Sequence, residues 1–208
     1  MRDIFGAVTN VNRFLLLLAA VRFDNPVDRN EWKLSDPAAA ITSIFQKLFN
    51  QCQDLYNPEK NLCIDEMLVG FRGRCPFRMY IPNKPDKYGL KIMCLADTRN
   101  HYLYNAYIYA GKDTDGLSLP RREQNLPKPT QAFRLSRPMW NTNRNITADN
   151  WFDCIPLAEG LKERGMTYVG TLEENKREIP KEYLPNKSRV PDSFVYGFTK
   201  VLTLLPLS

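Results

Sequence analysis

Hydrophobic and polar positions alternate along the chain in two distinct periods. In the run Phe14-Leu-Leu-Leu-Leu-Ala-Ala-Val21, the residues Phe14, Leu17, Leu18 and Val21 recur at i, i+3, i+4 and i+7. That spacing predicts a helix over 12–23 with one buried face. Asp36-Pro37 supplies an N-cap and a proline at the first helical position. Ile41, Ile44, Phe45, Leu48, Phe49 and Cys52 then keep helical spacing, so a second helix should end near Tyr56-Asn57-Pro58. Beyond it the segments 62–68, 77–81, 90–95 and 102–109 are short, rich in β-formers and separated by Gly, Pro and Asn, which predicts a meander of three or four strands. The stretch 111–144 is polar and broken by Pro120, Pro127, Pro129 and Pro138, and reads as an extended excursion with little regular structure. Strand-helix alternation then returns, with a strand over 145–148, a helix over 151–164 closed by Gly165 and a strand over 166–171. Residues 194–205 read as strands without partners. Hairpins followed by a β-α-β step make an α+β fold with a mixed sheet the expected class.

Composition narrows the function. A chain of 208 residues with 43% hydrophobic and 25% charged residues excludes wholesale disorder and a fibrous repeat. The net charge of +6 and pI near 9.1 favour a polyanionic partner, with nucleic acid the first candidate. The apolar run before Val21 follows Arg2 and Arg13 and so can also be read as a signal-peptide core. It is too short for a bilayer, which needs about 20 residues. Five cysteines never spaced C-x-x-C argue against a disulfide framework and a zinc knuckle and read as reduced thiols. With His101 the single histidine, carboxylates must carry any metal. Asn145-Ile-Thr147 and Asn186-Lys-Ser188 match glycosylation sequons, a match that means little without secretion.

Two aspartates stand out. Asp65 sits in an apolar strand between Leu62-Cys63-Ile64 and Met67-Leu68, where burial of a lone carboxylate demands a partner or a metal. Its neighbour Glu66 points to the opposite face, so one of the two is functional. Asp149 stands between a strand and the helix expected from Trp151, either as that helix's cap or at the sheet end where ligands collect. Basic residues cluster nearby: Arg72, Arg74, Arg78, Lys84, Lys87 and Lys91 against Asp86 alone, interleaved with Phe77, Tyr80 and Tyr88. The set suits phosphate contacts with base stacking, or else a solvated hairpin with its aromatics turned inward. A second cluster runs through Arg121, Arg122, Lys128, Arg134, Arg137 and Arg144 against Glu123.

The segments Ile64-Asp-Glu-Met-Leu-Val-Gly-Phe-Arg-Gly-Arg74, Met79-Tyr-Ile-Pro-Asn-Lys-Pro-Asp-Lys-Tyr-Gly-Leu-Lys91 and Cys94-Leu-Ala-Asp97 stand in order and resemble the piggyBac family of transposases and their host-domesticated relatives. Arg144-Asn-Ile-Thr-Ala-Asp-Asn-Trp-Phe152, Ile155-Pro-Leu-Ala158, Tyr168-Val-Gly-Thr171 and Asn175-Lys-Arg-Glu-Ile-Pro180 are similar to the family's later blocks. Coverage runs from about Asn12 to Leu205, and several ordered blocks are far more specific than one short motif. The resemblance implies a ribonuclease H-like catalytic domain that cuts and joins DNA with three aspartates and two divalent ions, Mg²⁺ or Mn²⁺. Asp65 matches the first catalytic aspartate and Asp149 the second, and both would be metal ligands. Arg72, Arg74, Arg78, Lys84, Lys87, Lys91, Lys176 and Arg177 would face DNA, meaning transposon ends and TTAA targets. In the family, water attacks the transposon end, and the freed 3′-hydroxyl forms a hairpin and is later joined to the target. The setting would be the nucleus, with no membrane, and the full-length family member would be able to form a homodimer.

The sequence departs from the family pattern. The third aspartate block belongs downstream of Ser208, so the expectation is a ribonuclease H-like domain truncated before its C-terminal part and catalytically incomplete. Asp97 is the one tempting substitute, and it reads equally as a turn cap. The resemblance leads to the expectation that the cysteine-rich C-terminal DNA-binding domain lies outside this sequence, and Glu173-Glu174 precedes Asn175-Lys176-Arg177 where many relatives carry basic residues. Residues 1–58 then form an N-terminal helical segment, part of a dimerisation or DNA-binding region, and 59–208 a partial catalytic domain. The alternative is a domesticated or decayed derivative that binds DNA without cutting it.

Overall fold

The computed structural model describes residues 6–25, 27–111, 130–184 and 195–205. The strands are β1 (Asn61–Gly70), β2 (Met79–Tyr80), β3 (Tyr88–Asp97), β4 (Leu103–Ile108), β5 (Asn145–Ala148), β6 (Thr167–Gly170), β7 (Gly197–Phe198) and β8 (Thr203–Leu204). The helices are α1 (Val11–Ala20), α2 (Arg29–Ser35), α3 (Ala39–Leu55), α4 (Thr130–Ser136) and α5 (Ile155–Glu163). Strands β1, β3 and β4 form the expected antiparallel meander, and β5 and β6 add to the free edge of β1 in parallel. The resulting order, β4-β3-β1-β5-β6 with short β2 beside β4 on the outer edge of β3, is the mixed sheet of a ribonuclease H-like α+β fold.

Period-two alternation decides what each sheet face buries. Leu62 and Ile64 of β1, Met93 and Leu95 of β3 and Ile146 and Ala148 of β5 point to one face, where α4 and α5 cover them with Ala132, Phe133, Leu135, Leu157 and Leu161. Fully burying a side chain such as Phe133 contributes about 1.5–3 kcal/mol. Among the described residues the other face is covered at β3 and β4, where Phe49, Phe45 and Cys52 of α3 pack on Ile92, Cys94 and Ala106. Asp36 starts α3 by accepting from the Ala38 N–H at 2.9 Å, one turn ahead of the helix proper. Gly165 ends α5 at φ +65°, a conformation that a side chain resists, as its position after the helix suggested.

Several expectations are corrected. No residue of α1 is buried: Phe14, Leu17, Leu18 and Val21 are 52, 53, 58 and 42% exposed, because the stripe finds no covering element among the described residues. Residues 130–139 are helical and central to the core, although the surrounding prolines masked them; the rest of that excursion, 112–129, lies outside the described residues. The helix expected from Trp151 begins at Ile155. Strands β7 and β8 pair with each other, so the terminal segment is a hairpin with its own partner. Helix α2 had no counterpart in the sequence reading. Among the described residues no helix is long and apolar enough to cross a membrane.

Candidate functional site

The last paired level between parallel β1 and β5 is Ile64 with Ala148, and the next residue on each strand is an aspartate. Asp65 and Asp149 therefore stand side by side on strands about 4.8 Å apart. Asp65 points away from the face of Ile64, with Cys63 below it, and Asp149 is the first residue past the end of β5. On this face α3 reaches β3 but not β1 or β5, so both carboxylates are exposed. This corrects the expectation that Asp65 is buried. The apolar neighbours that suggested burial divide between the two faces, and Met67 on its own face is also 42% exposed.

Each carboxylate is tied at one oxygen. Asp65 Oδ1 accepts from the Glu66 N–H at 2.7 Å, and Asp149 Oδ1 accepts from the Asn150 N–H at 2.6 Å. Among the described residues Oδ2 of each takes no hydrogen bond, leaving one free hard-oxygen donor on each carboxylate. That donor set fits a divalent cation with water completing its shell. Cys94 lies directly across from Asp65, and burial, followed by the Asp65 charge, pushes its thiol up to about 11. Cys63 is raised by the same two causes. The capping reading of Asp149 falls away: α5 begins six residues later behind Cys154, and Asp149 instead opens a turn in which its carbonyl accepts from the Phe152 N–H at 3.0 Å.

Lys91 is placed elsewhere than expected. It is 7% exposed on the core face of β3, with Nζ 3.9 Å from the Trp151 ring centroid and 5.7 Å from that of Tyr109. Burial lowers its pKa, against the pull of Glu66. It braces the turn that carries Asp149 and is not available to face DNA. Of the other expected contacts, Arg72, Arg74, Arg78 and Lys87 are exposed in the excursion between β1 and β3, while Lys84 is half-buried, 3.3 Å from Glu66 Oε1. Arg177 is exposed and Lys176 half-buried in the loop after β6. This excursion, the turn at Asp149 and that loop all leave the C-terminal ends of β1, β5 and β6, so they share one end of the sheet.

Two members of the second basic cluster, Arg134 and Arg144, are structural, while Arg137 is exposed. Arg144 donates to the Pro58 carbonyl at 2.8 Å and to Asn57 Oδ1 at 2.7 Å, and the Arg134 guanidinium lies 3.8 Å from the Tyr107 ring centroid. Arg121, Arg122 and Lys128 lie outside the described residues. Asp97 is fully buried, accepting from the Glu59 and Arg99 N–H groups at 2.7 and 2.8 Å and from the Tyr56 hydroxyl at 2.9 Å. It pairs in register with Leu62 on the core face, away from Asp65, and is the turn cap. Among the described residues no group of three or more His, Cys, Asp or Glu is arranged to hold a metal.

Sequence reasoning passed over one buried carboxylate, Asp153. It is 5% exposed beside Tyr168 and Gly170, and burial raises its pKa against the lowering effects of the Tyr168 hydroxyl and Lys176. The Tyr168 hydroxyl is pushed above the phenol range by burial and then by the Asp153 charge. A carboxyl raised above its unfolded value of 3.8 binds more protons folded than unfolded, so its contribution falls as pH rises from there through the folded pKa. Asp153→Asn removes this loss. The variant is expected to exceed the wild type in urea stability at pH 7 and to converge with it below about pH 4. A stability difference independent of pH would contradict that assignment.

A family described as Transposase IS4 matches residues 2–207, and the chain belongs to that transposase family. It is similar to a piggyBac transposase seen by cryo-EM in a synaptic complex with hairpin DNA, with a TM-score of 0.82 and 39% identity. The match covers 97% of this chain and 41% of that one, so the chain spans less than half of the piggyBac transposase.

Proposed function

We propose that this chain presents two catalytic carboxylates of a piggyBac-type transposase, Asp65 and Asp149, to Mg²⁺ or Mn²⁺ beside a DNA-facing excursion. The observation that carries the reading is the parallel register of Ile64 with Ala148, which sets the two aspartates side by side on an open sheet face. A bound cation there supplies charge stabilisation at the oxygens of a phosphodiester undergoing displacement. The chain's own residues do the rest: Asp65 and Asp149 hold the cation, Lys91 and Trp151 fix the turn behind Asp149, and Arg72, Arg74, Arg78, Lys87 and Arg177 contact phosphates. The similar transposase holds hairpin DNA, which supports transposon-end DNA as the substrate and the nucleus as the place of action. TTAA targets and assembly as a homodimer belong to the same reading. With two carboxylates in the described site, the 208-residue chain binds the cation weakly and does not complete transposition.

A salt titration of duplex binding tests the DNA-facing part. The logarithm of the binding constant is expected to fall linearly with the logarithm of salt, with a slope of about −0.9 per phosphate contact. The double variant Arg72→Glu/Arg74→Glu should reduce the magnitude of that slope by about 2. Binding that ignores salt would defeat the reading. A cleavage assay on a duplex with terminal inverted repeats tests incompleteness: no strand transfer is expected, whereas nicking that vanishes in both Asp65→Ala and Asp149→Ala would show a complete site.

A further inference from the structure

We propose that Arg78, Tyr88 and Tyr80 form a stacking row for an unpaired nucleotide of a DNA strand. The inference rests on the DNA-binding reading and deepens it by naming which form of DNA this edge of the sheet takes. Tyr80 of β2 and Tyr88 of β3 are directly opposite each other, with ring centroids 4.7 Å apart and planes inclined at 37°. The Arg78 guanidinium lies 5.6 Å from the Tyr88 centroid and donates to the Arg72 carbonyl at 3.3 Å, which ties the row to the basic loop. Alternation fixes the direction. Met79 packs against the main core, so its neighbours Arg78 and Tyr80 face outward.

A pair of tyrosines that only closes a hairpin gains from mutual contact and has no need of wet rings. Here the hairpin is already closed by the Ile81 N–H donating to the Lys87 carbonyl at 2.8 Å, and Tyr80 and Tyr88 stay 55 and 52% exposed. Their surroundings are cationic: Arg72, Arg74, Arg78 and Lys87 are exposed, with Asp86 the sole acid of the excursion. Exposed aromatic faces within a positive field suit single-stranded nucleic acid, because every unpaired base offers a π-face whatever its identity. A base inside a duplex is already stacked on both sides and offers only its edges in the grooves. The row lies beyond the C-terminal end of β1, with Tyr88 six residues along β3 from Cys94, the partner of Asp65.

The test compares the full chain with Tyr80→Ala and Tyr80→Phe, using a short oligothymidylate and a blunt duplex as probes at one salt concentration. Tyr80→Ala is expected to weaken oligothymidylate binding about tenfold while changing duplex binding less than twofold. Tyr80→Phe should keep wild-type affinity for both, since the ring suffices. Tyr88→Ala, with the thermal midpoint recorded alongside, should repeat the Tyr80→Ala result. Unchanged oligothymidylate binding in Tyr80→Ala with normal duplex binding would overturn the inference and leave the DNA reading intact. Equal losses on both probes, or failure of Tyr80→Phe to keep affinity, would also overturn it. If the wild type binds neither probe, the DNA reading fails and the stacking row with it.

Discussion

Phe133→Ala is expected to cost about 3–5 kcal/mol, the range for removing a buried aromatic side chain. Phe133 is fully buried on α4, and a side chain added at Gly160 of α5 would meet its ring, so the two helices approach each other through it. The Arg164 guanidinium covers the ring 4.9 Å from its centroid. Deleting the ring therefore opens a cavity between α4, α5 and the sheet, in a core that also holds Leu62, Ile64, Ile146 and Ala148. Because β1 and β5 rest on that core, the loss should loosen the pairing that brings Asp65 and Asp149 together. Urea unfolding gives the number; a loss under about 1 kcal/mol would mean that the helices do not depend on this contact.

Asp97→Ala is the second large effect, expected at about 2–4 kcal/mol, because one substitution strips acceptors from three donors at once. Burial alone would raise the Asp97 pKa, but the N–H groups of Glu59 and Arg99 and the Tyr56 hydroxyl hold it below the usual carboxylate value. The sign follows from that direction. A depressed carboxylate contributes stability above its unfolded pKa of 3.8 and loses it as pH falls through the lower folded value. The wild type and Asp97→Ala should thus differ fully at pH 6–7 and converge toward pH 2, in unfolding curves taken across that range. The substitution should leave cation binding unchanged, since Asp97 faces the opposite side of the sheet from Asp65.

The strand pattern was legible because alternation is local. Leu62 and Ile64, Met93 and Leu95, and Ile146 and Ala148 announce their faces in the chain itself, and β5 falls where it was expected. Lys91 and Asp97 keep phase with Met93 and Leu95, so their burial was also readable, as charges standing in core positions of β3. What alternation cannot say is which face a helix will cover. Asp65 is exposed because α3 stops at β3, and the apolar stripe of α1 is exposed because nothing described lies over it; both depend on distant packing. Helix α4 was hidden for another reason. Its seven residues carry Ala132, Phe133 and Leu135 among polar residues and run at Ser136 into a 3-10 turn that holds Pro138, too short a stretch for a helical period to emerge. Asp149 was found through its block of neighbours, while its role as a cap was removed only by the position at which α5 begins.

Mn²⁺ titration of the 208-residue chain, followed by water-proton relaxation, bears most directly on the carboxylate pair. The isosteric variants Asp65→Asn and Asp149→Asn keep shape at exposed positions and remove one hard-oxygen charge each. One weak site is expected in the wild type, with affinity lowered about tenfold or more in either variant and thermal stability unchanged without metal. Affinity equal to that of the wild type in both variants would contradict the pairing of Asp65 and Asp149 as a cation site.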